Sequence, residues 1–258
     1  MEKEYNVSLQ VMQHLVIDIG NARIKYAVVD KGEIGATGNL PHDRASEILK
    51  IVKQEKGIRR GIVASVAAAE PGWLKELEKA LDLFIVLDGT IPLPFRVLYR
   101  TPETLGPDRL AAVAGAYTKF PGSNVMIFDL GTALTVDILN ASGEYVGGNI
   151  SPGMSMRFRA LHQFTGRLPL GEPENGAPPV GGNTQEALTA GVQQGILREI
   201  EGYITWGRSQ FTDMKVILTG GDADFFAKML KSPIFVDRNL VFTGLDRILQ
   251  HYAEHTQD

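Results

Sequence analysis

The sequence contains no cysteine. That excludes disulfides, a thiolate zinc site and a thiol nucleophile, and it fits a reducing compartment. No run of about 18 apolar residues occurs, so no membrane-spanning helix is expected. A secretory signal is not expected either: Glu2 and Glu4 stand where basic residues would be needed. A cytoplasmic protein is the expectation. Basic excess is also missing, with 26 Lys and Arg against 30 Asp and Glu. A face able to neutralise a nucleic-acid backbone is therefore not expected, although a few local donors can still hold a small anion. The five histidines (14, 42, 162, 251 and 255) show no metal-ligand spacing and read as structural or surface residues.

What is present is a repeat. "LVIDIGNARIKYAVVDKGE" begins at Leu15 and "MIFDLGTALTVDILNASGE" at Met126. Aligned without a gap, Asp18 meets Asp129, Gly20 meets Gly131, Gly32 meets Gly143 and Glu33 meets Glu144. Each copy reads as three short strands joined by glycine turns. Helical periodicity follows at His42–Gly57, Pro71–Leu83, Gly106–Phe120, Asn183–Gly207 and toward the end in "GLDRILQHYAEH". Further strands read at Arg59–Ala67, in "FIVLD" and in "KVILTGG". The expected fold is α/β, built twice. Residues 1–13 form an N-terminal extension in which Met12 is an alternative start. One domain spans 14–122 and a second 123–258, with the terminal helix free to pack back on the first. The Pro- and Gly-rich stretch Leu168–Asn183 is a lid or pocket-loop candidate.

A strand that ends in Asp-x-Gly and turns sharply places backbone N–H groups and one carboxylate at a sheet edge. Such N–H groups form an anion nest, while the carboxylate suits a metal ion or its waters. Two of these turns facing one another can hold a polyphosphate with Mg²⁺ between two domains. Asn21 and Thr132 each place a donor beside the loop glycine. Alternation lets Lys25 point to the cleft or to solvent. Asp108 sits at a helix start in "GPDR", where an anion is favoured, and Arg109 is suited to grip a carboxylate in bidentate fashion. Gly220-Gly221 admits close approach of a base or ribose, or is a plain strand-to-helix turn. Arg157, Arg159 and Arg167 read as a solvated face or dimer contact.

The ordered set "DIGNARIK", "GPDRLAAVAGAY", "DLGTALTVD", "GGNISPGM" and "NTQEALTAGVQQG" resembles type III pantothenate kinase, within the acetate and sugar kinase, heat-shock 70 and actin superfamily. The resemblance spans about Leu15 to Leu249. It implies two ribonuclease-H-like domains with an interdomain ATP site, a homodimer, and ATP-dependent phosphorylation of pantothenate, the first step toward coenzyme A. It also implies Mg²⁺ and a monovalent cation, K⁺ or NH₄⁺. By resemblance the ATP site draws on Asp18, Ile19, Gly20, Asn21, Ala22, Arg23, Ile24, Lys25 and Thr132. Asp129 lies near the monovalent cation, and Asp18 is a candidate for Mg²⁺ held through water. Asp108 is the base. Tyr99, Gly106, Pro107, Asp108 and Arg109 line the substrate, as does Thr184, placed near the partner subunit. Two positions depart from the pattern: Ala22, where threonine is frequent, and Pro107, where a small or β-branched residue is. The rival readings are another small-molecule kinase of the superfamily, an actin-like filament protein and a nucleotide-binding regulator of the transcriptional accessory type.

Overall fold

The computed structural model describes residues 12–55, 57–66 and 72–256. Most of the expected N-terminal extension, and the Pro71 expected to open a helix, lie outside the described residues. The first meander comprises β1 (Gln13–Ile19), β2 (Ile24–Asp30) and β3 (Glu33–Leu40). A short 3-10 turn and α1 (Glu47–Gln54) lead to β4 (Ile58–Ser65), α2 (Trp73–Ala80) and β5 (Leu83–Val86). These strands form one sheet in the order β3-β2-β1-β4-β5. The meander pairs are antiparallel, and β4 and β5 add in parallel.

The second meander is β7 (Val125–Leu130), β8 (Ala133–Leu139) and β9 (Glu144–Pro152). It is followed by α4 (Met154–Gln163), α5 (Thr184–Gln210), β10 (Lys215–Thr219), α6 (Ala223–Ala227) and β11 (Phe235–Val236). The order β9-β8-β7-β10-β11 repeats that of the first sheet, with the two-residue β6 (Arg96–Val97) added beside β9. β6 carries no strong strand signal and was missed by pattern reading. It is part of the second sheet although it precedes residue 123. A division at 122 and 123 therefore separates the two meanders but does not follow the packing.

Two helices fill the space between the sheets. α3 (Pro107–Lys119) touches β4, β7 and β8, while α7 (Leu240–His255) touches α3 and lies on β1, β2 and β4. Their crossing is tight because both carry glycine at the contact. A Cβ on Gly244 would sit 1.7 Å from the Ala111 carbonyl oxygen, and one on Gly115 would sit 2.2 Å from that of Leu240. The inner core joins Val16, Ile62, Leu110, Ile127, Leu245 and Ile248 across both sheets. Separate outer cores hold α1 and α2 against the first sheet, and α4, α5 and α6 against the second. The result is a five-layer stack, helix on sheet on helix on sheet on helix. Asp108 sits in the first turn of α3, with Gly106 as N-cap and Pro107 as the first helical residue.

Candidate active site

The ends of β1 and β7 bring the paired aspartates to one cavity of about 220 Å³. Asp18, Asn21, Lys25, Asp108, Asp129 and Thr132 line it, and Thr135 completes the wall. Lys25 points to this cleft, with its ammonium 4.0 Å from an Asp18 carboxylate oxygen. Two larger cavities open from the same place. One of about 440 Å³ runs past Thr132 and Gly221 to Asp222 and Arg159. Another of about 520 Å³ passes Gly220 and Gly221 toward Arg238 and Asn239.

Burial pushes the Asp18 carboxyl up to about 6, with the Lys25 charge opposing and the Asp108 charge adding to the rise. Asp129 is pushed up to about 7, again chiefly by burial; Lys25 opposes this, and Asp108 and Asp18 reinforce it. Three aspartates thus face one ammonium. An all-oxygen donor set with excess negative charge fits Mg²⁺ and a monovalent cation. Asp108 accepts the Arg109 backbone N–H at 2.9 Å through one oxygen. Its side chain is half-buried and forms part of the cavity wall.

Not every expected residue reaches the cavity. Ile19 and Ile24 are each 1% exposed and pack in the outer core of the first sheet, so only their backbone remains for a nucleotide. Arg23 borders the cavity but donates its Nε–H to the Asn39 side chain at 2.6 Å. Arg109 is not free at the surface. Its Nε and Nη2 donate to Asp137 at 3.0 and 2.6 Å, so the fork expected for substrate is already engaged on one edge. Asp137 holds the guanidinium above its usual pKa range despite burial. Tyr99 lies 5.9 Å from that guanidinium and borders a cavity of about 590 Å³ with Gly147 and Gly148. Gly106 and Pro107 are half-buried at the head of α3.

Thr184 is elsewhere. It rims an apolar groove of about 900 Å³ between α4 and α5, bordered by Met156, Leu161, Phe164 and Leu188. The candidate lid, residues 168–183, runs along α5 rather than over the cleft: the carbonyls of Glu172 and Glu174 accept from Thr189 and Gln193. Of the three arginines read as a basic face, Arg157 pairs with Glu199 and Arg159 lines the cleft. Gly220 has φ +91°, and a Cβ there would lie 2.4 Å from Asp129 Oδ1. It accommodates a loop aspartate, whereas Gly221 has open space beside it. At the far end of α7, His251, Glu254 and His255 bring ligand atoms within 4.8 Å of one another, which the spacing argument overlooked. Arg247 lies 3.7 Å from Glu254 there.

Pattern reading passed over Asp137 altogether. A polar residue inside the apolar run of β8 was the available signal.

No helix among the described residues is long and apolar enough to cross a membrane. Comparison with known proteins agrees with the architecture. The solved structure of a putative Baf family transcriptional activator from Campylobacter jejuni superposes with TM-score 0.60 at 24% identity, over 93% of this chain and 99% of that one. A putative N-acetylmannosamine kinase from Listeria monocytogenes gives TM-score 0.55 at 14% identity, over 94% and 99%. At those identities the likeness establishes the fold, two ribonuclease-H-like halves about a cleft. In sequence, a type III pantothenate kinase of Bacteroides fragilis is 43% identical over 238 residues, covering 92% of this chain and 98% of the relative. The type III pantothenate kinase family matches residues 14–205. Carried by that family match and by a relative aligned nearly end to end, the chain belongs to the type III pantothenate kinase family.

Proposed function

We propose that the chain transfers the γ-phosphoryl group of ATP to the 4′-hydroxyl of pantothenate, the first step toward coenzyme A. One observation carries this reading: Asp108, in the first turn of α3, shares a single cavity with both loop aspartates. The loops at Gly20-Asn21 and Gly131-Thr132 border the cavities suited to a triphosphate. Asp108 takes the hydroxyl proton as the new O–P bond forms and the bond from the γ-phosphorus to the β–γ bridging oxygen breaks. A loose transition state needs little activation of the nucleophile, so the carboxylate also orients the hydroxyl. Asn21, Thr132 and Lys25 bind and neutralise phosphate oxygens. Tyr99 and Arg109 lie on the acceptor side.

Mg²⁺, held through Asp18, would supply charge neutralisation on the phosphates. Asp129 is the residue for K⁺ or NH₄⁺. Lys25 stands directly across the strand pair from Asp18, whereas Thr135 stands across from Asp129. The first loop thus has a lysine paired across its own strands, although that ammonium also acts on Asp129.

A second copy of the chain covers the apolar groove between α4 and α5. Phe164 is 80% exposed there, and Thr184 at its rim then completes a partner's acceptor pocket. Thr184→Ala is expected to raise the KM for pantothenate more than that for ATP.

The deciding experiment is coupled ATP turnover with and without pantothenate. ADP release that depends on pantothenate supports the assignment. Phosphorylation of sugars with pantothenate left untouched would overturn it.

A further inference from the structure

Asp137 lies in the middle of β8 and is fully buried. Its Oδ1 accepts from Arg109 Nη2 at 2.6 Å and from the Tyr145 hydroxyl at 2.6 Å, and Arg109 Nε donates to the same oxygen at 3.0 Å. The duplicated fold supplies an internal control for this position. Asp137 lies opposite Ile127, and Ala27 lies opposite Val16 at the matching place in the first meander. Ala27 is buried in the inner core with Val16. The architecture therefore closes over this position with a methyl group and does not itself call for a carboxylate. Burying an ion pair carries a desolvation cost that well-packed apolar groups avoid. Its presence in one copy alone points to a task performed in that copy.

The surroundings say which task. A Cβ on Gly148 would lie 2.6 Å from Asp137 Oδ1, 2.8 Å from Arg109 Nη2 and 1.9 Å from the Val136 carbonyl oxygen. β9 is thus kept bare where it passes the pair. Tyr145, which bonds to Asp137, stacks with Tyr99 at 6.3 Å between ring centroids and 3° between planes. Tyr99 in turn borders the open cavity next to Gly147 and Gly148. A buried carboxylate, a guanidinium and two parallel phenol rings thus form one connected block, joined to the cleft through Arg109, the neighbour of Asp108 on α3.

We propose that Asp137 is a positioning residue for acceptor specificity. It fixes Arg109 by the Nε–Nη2 edge, so that the guanidinium, which also interacts with the Tyr99 side chain, turns its remaining edge to the carboxylate of the acceptor. The inference rests on the reading of pantothenate, a carboxylic acid, as that acceptor. Guanidinium and carboxylate form directional, charge-assisted bonds, so a rotated fork loses most of the gain. Asp137→Asn keeps the shape but replaces an acceptor oxygen with donor hydrogens facing other donors.

The test compares kcat/KM for pantothenate and for its uncharged primary amide in wild type and Asp137→Asn. The expected result is that the preference for acid over amide falls about 10- to 100-fold, the range for hydrogen bonds to charged groups. The loss should appear mainly in the KM for the acid. A merely structural role would lower both substrates together, and that outcome overturns the proposal. Should Asp137→Asn fail to fold, Tyr145→Phe removes only the supporting hydroxyl. It is expected to shift the same ratio several-fold, and no shift there is equally fatal. A wild type inert toward pantothenate would remove the assigned function and this inference together. A wild type active on pantothenate with an unmoved ratio removes the inference alone.

Discussion

The two Asp-x-Gly loops begin alike and end differently. In the first, four residues, 20–23, separate β1 from β2; in the second, only residues 131–132 separate β7 from β8. The next turns compensate, with two residues, 31–32, in the first copy and four, 140–143, in the second. The middle strand has therefore slid by one residue relative to its neighbours: Asp18 faces Lys25, while Asp129 faces Thr135. A one-residue slip exchanges which side chains share a face. It gives the first loop its own ammonium and the second a hydroxyl. Burial is the main reason that both carboxyls are pushed up, Asp18 to about 6 and Asp129 to about 7, and the Lys25 charge opposes the rise at both. Duplicated geometry thus carries unequal cross-strand partners, an ammonium for Asp18 and a hydroxyl for Asp129.

The largest expected effect tests whether both loops are needed. Asp18→Ala and Asp129→Ala are each expected to abolish turnover while the circular-dichroism spectrum stays native; near-normal activity in both would end the argument from pairing. Asp108→Asn, which leaves both loops intact, should lower kcat by roughly 10² to 10⁴, the usual worth of a general base. ATP affinity should hardly move in a direct binding measurement. A strong rise in the ATP Kd with kcat preserved would instead assign Asp108 to the metal. Next comes the inequality itself. Turnover should rise when K⁺ or NH₄⁺ replaces Na⁺, and equal rates in all three salts would mean that Asp129 requires no such ion.

The smallest effect is on stability. Both aspartates have folded pKa values above the ordinary 3.8. Their contribution is therefore fully present below that value and is lost as pH rises through 6 and 7. Asp129→Asn cannot ionise, so its Tm should exceed that of wild type at pH 8 and approach it at pH 5. For a domain of this size, about 1 kcal/mol corresponds to roughly 2–4 °C. A gap independent of pH would show that Asp129 is not the titrating group.

Much of the fold was legible because the repeat is strong and its turns are rich in glycine. Asp18 and Asp129 stood out by their identical placement, whereas Pro107 marked only the helix start at Asp108, whose reading as the base came from the family resemblance. The slide of β8 was not legible. An ungapped match of the flanking glycines conceals two opposite shifts that cancel, and it sets Lys25 beside Val136 instead of Thr135. The counterpart of Asp137 in the first copy, Ala27, likewise appears only once the register is known. The burial of Arg109 was hidden because its partner lies on another element. β6, at two residues, offers no periodicity to read.

The packing of α7 has a consequence for how the chain is made. Translation delivers every described strand before Leu240 emerges, yet α7 lies directly on β1, β2 and β4. Until then the inward face of the first sheet, with Val16, Ala27 and Ile62, lacks the terminal helix that packs on it. Domains commonly fold in turn as they leave the ribosome. Here the sheet synthesised first is completed only by the last helix, so a nascent chain halted before residue 240 is expected to leave that apolar face open.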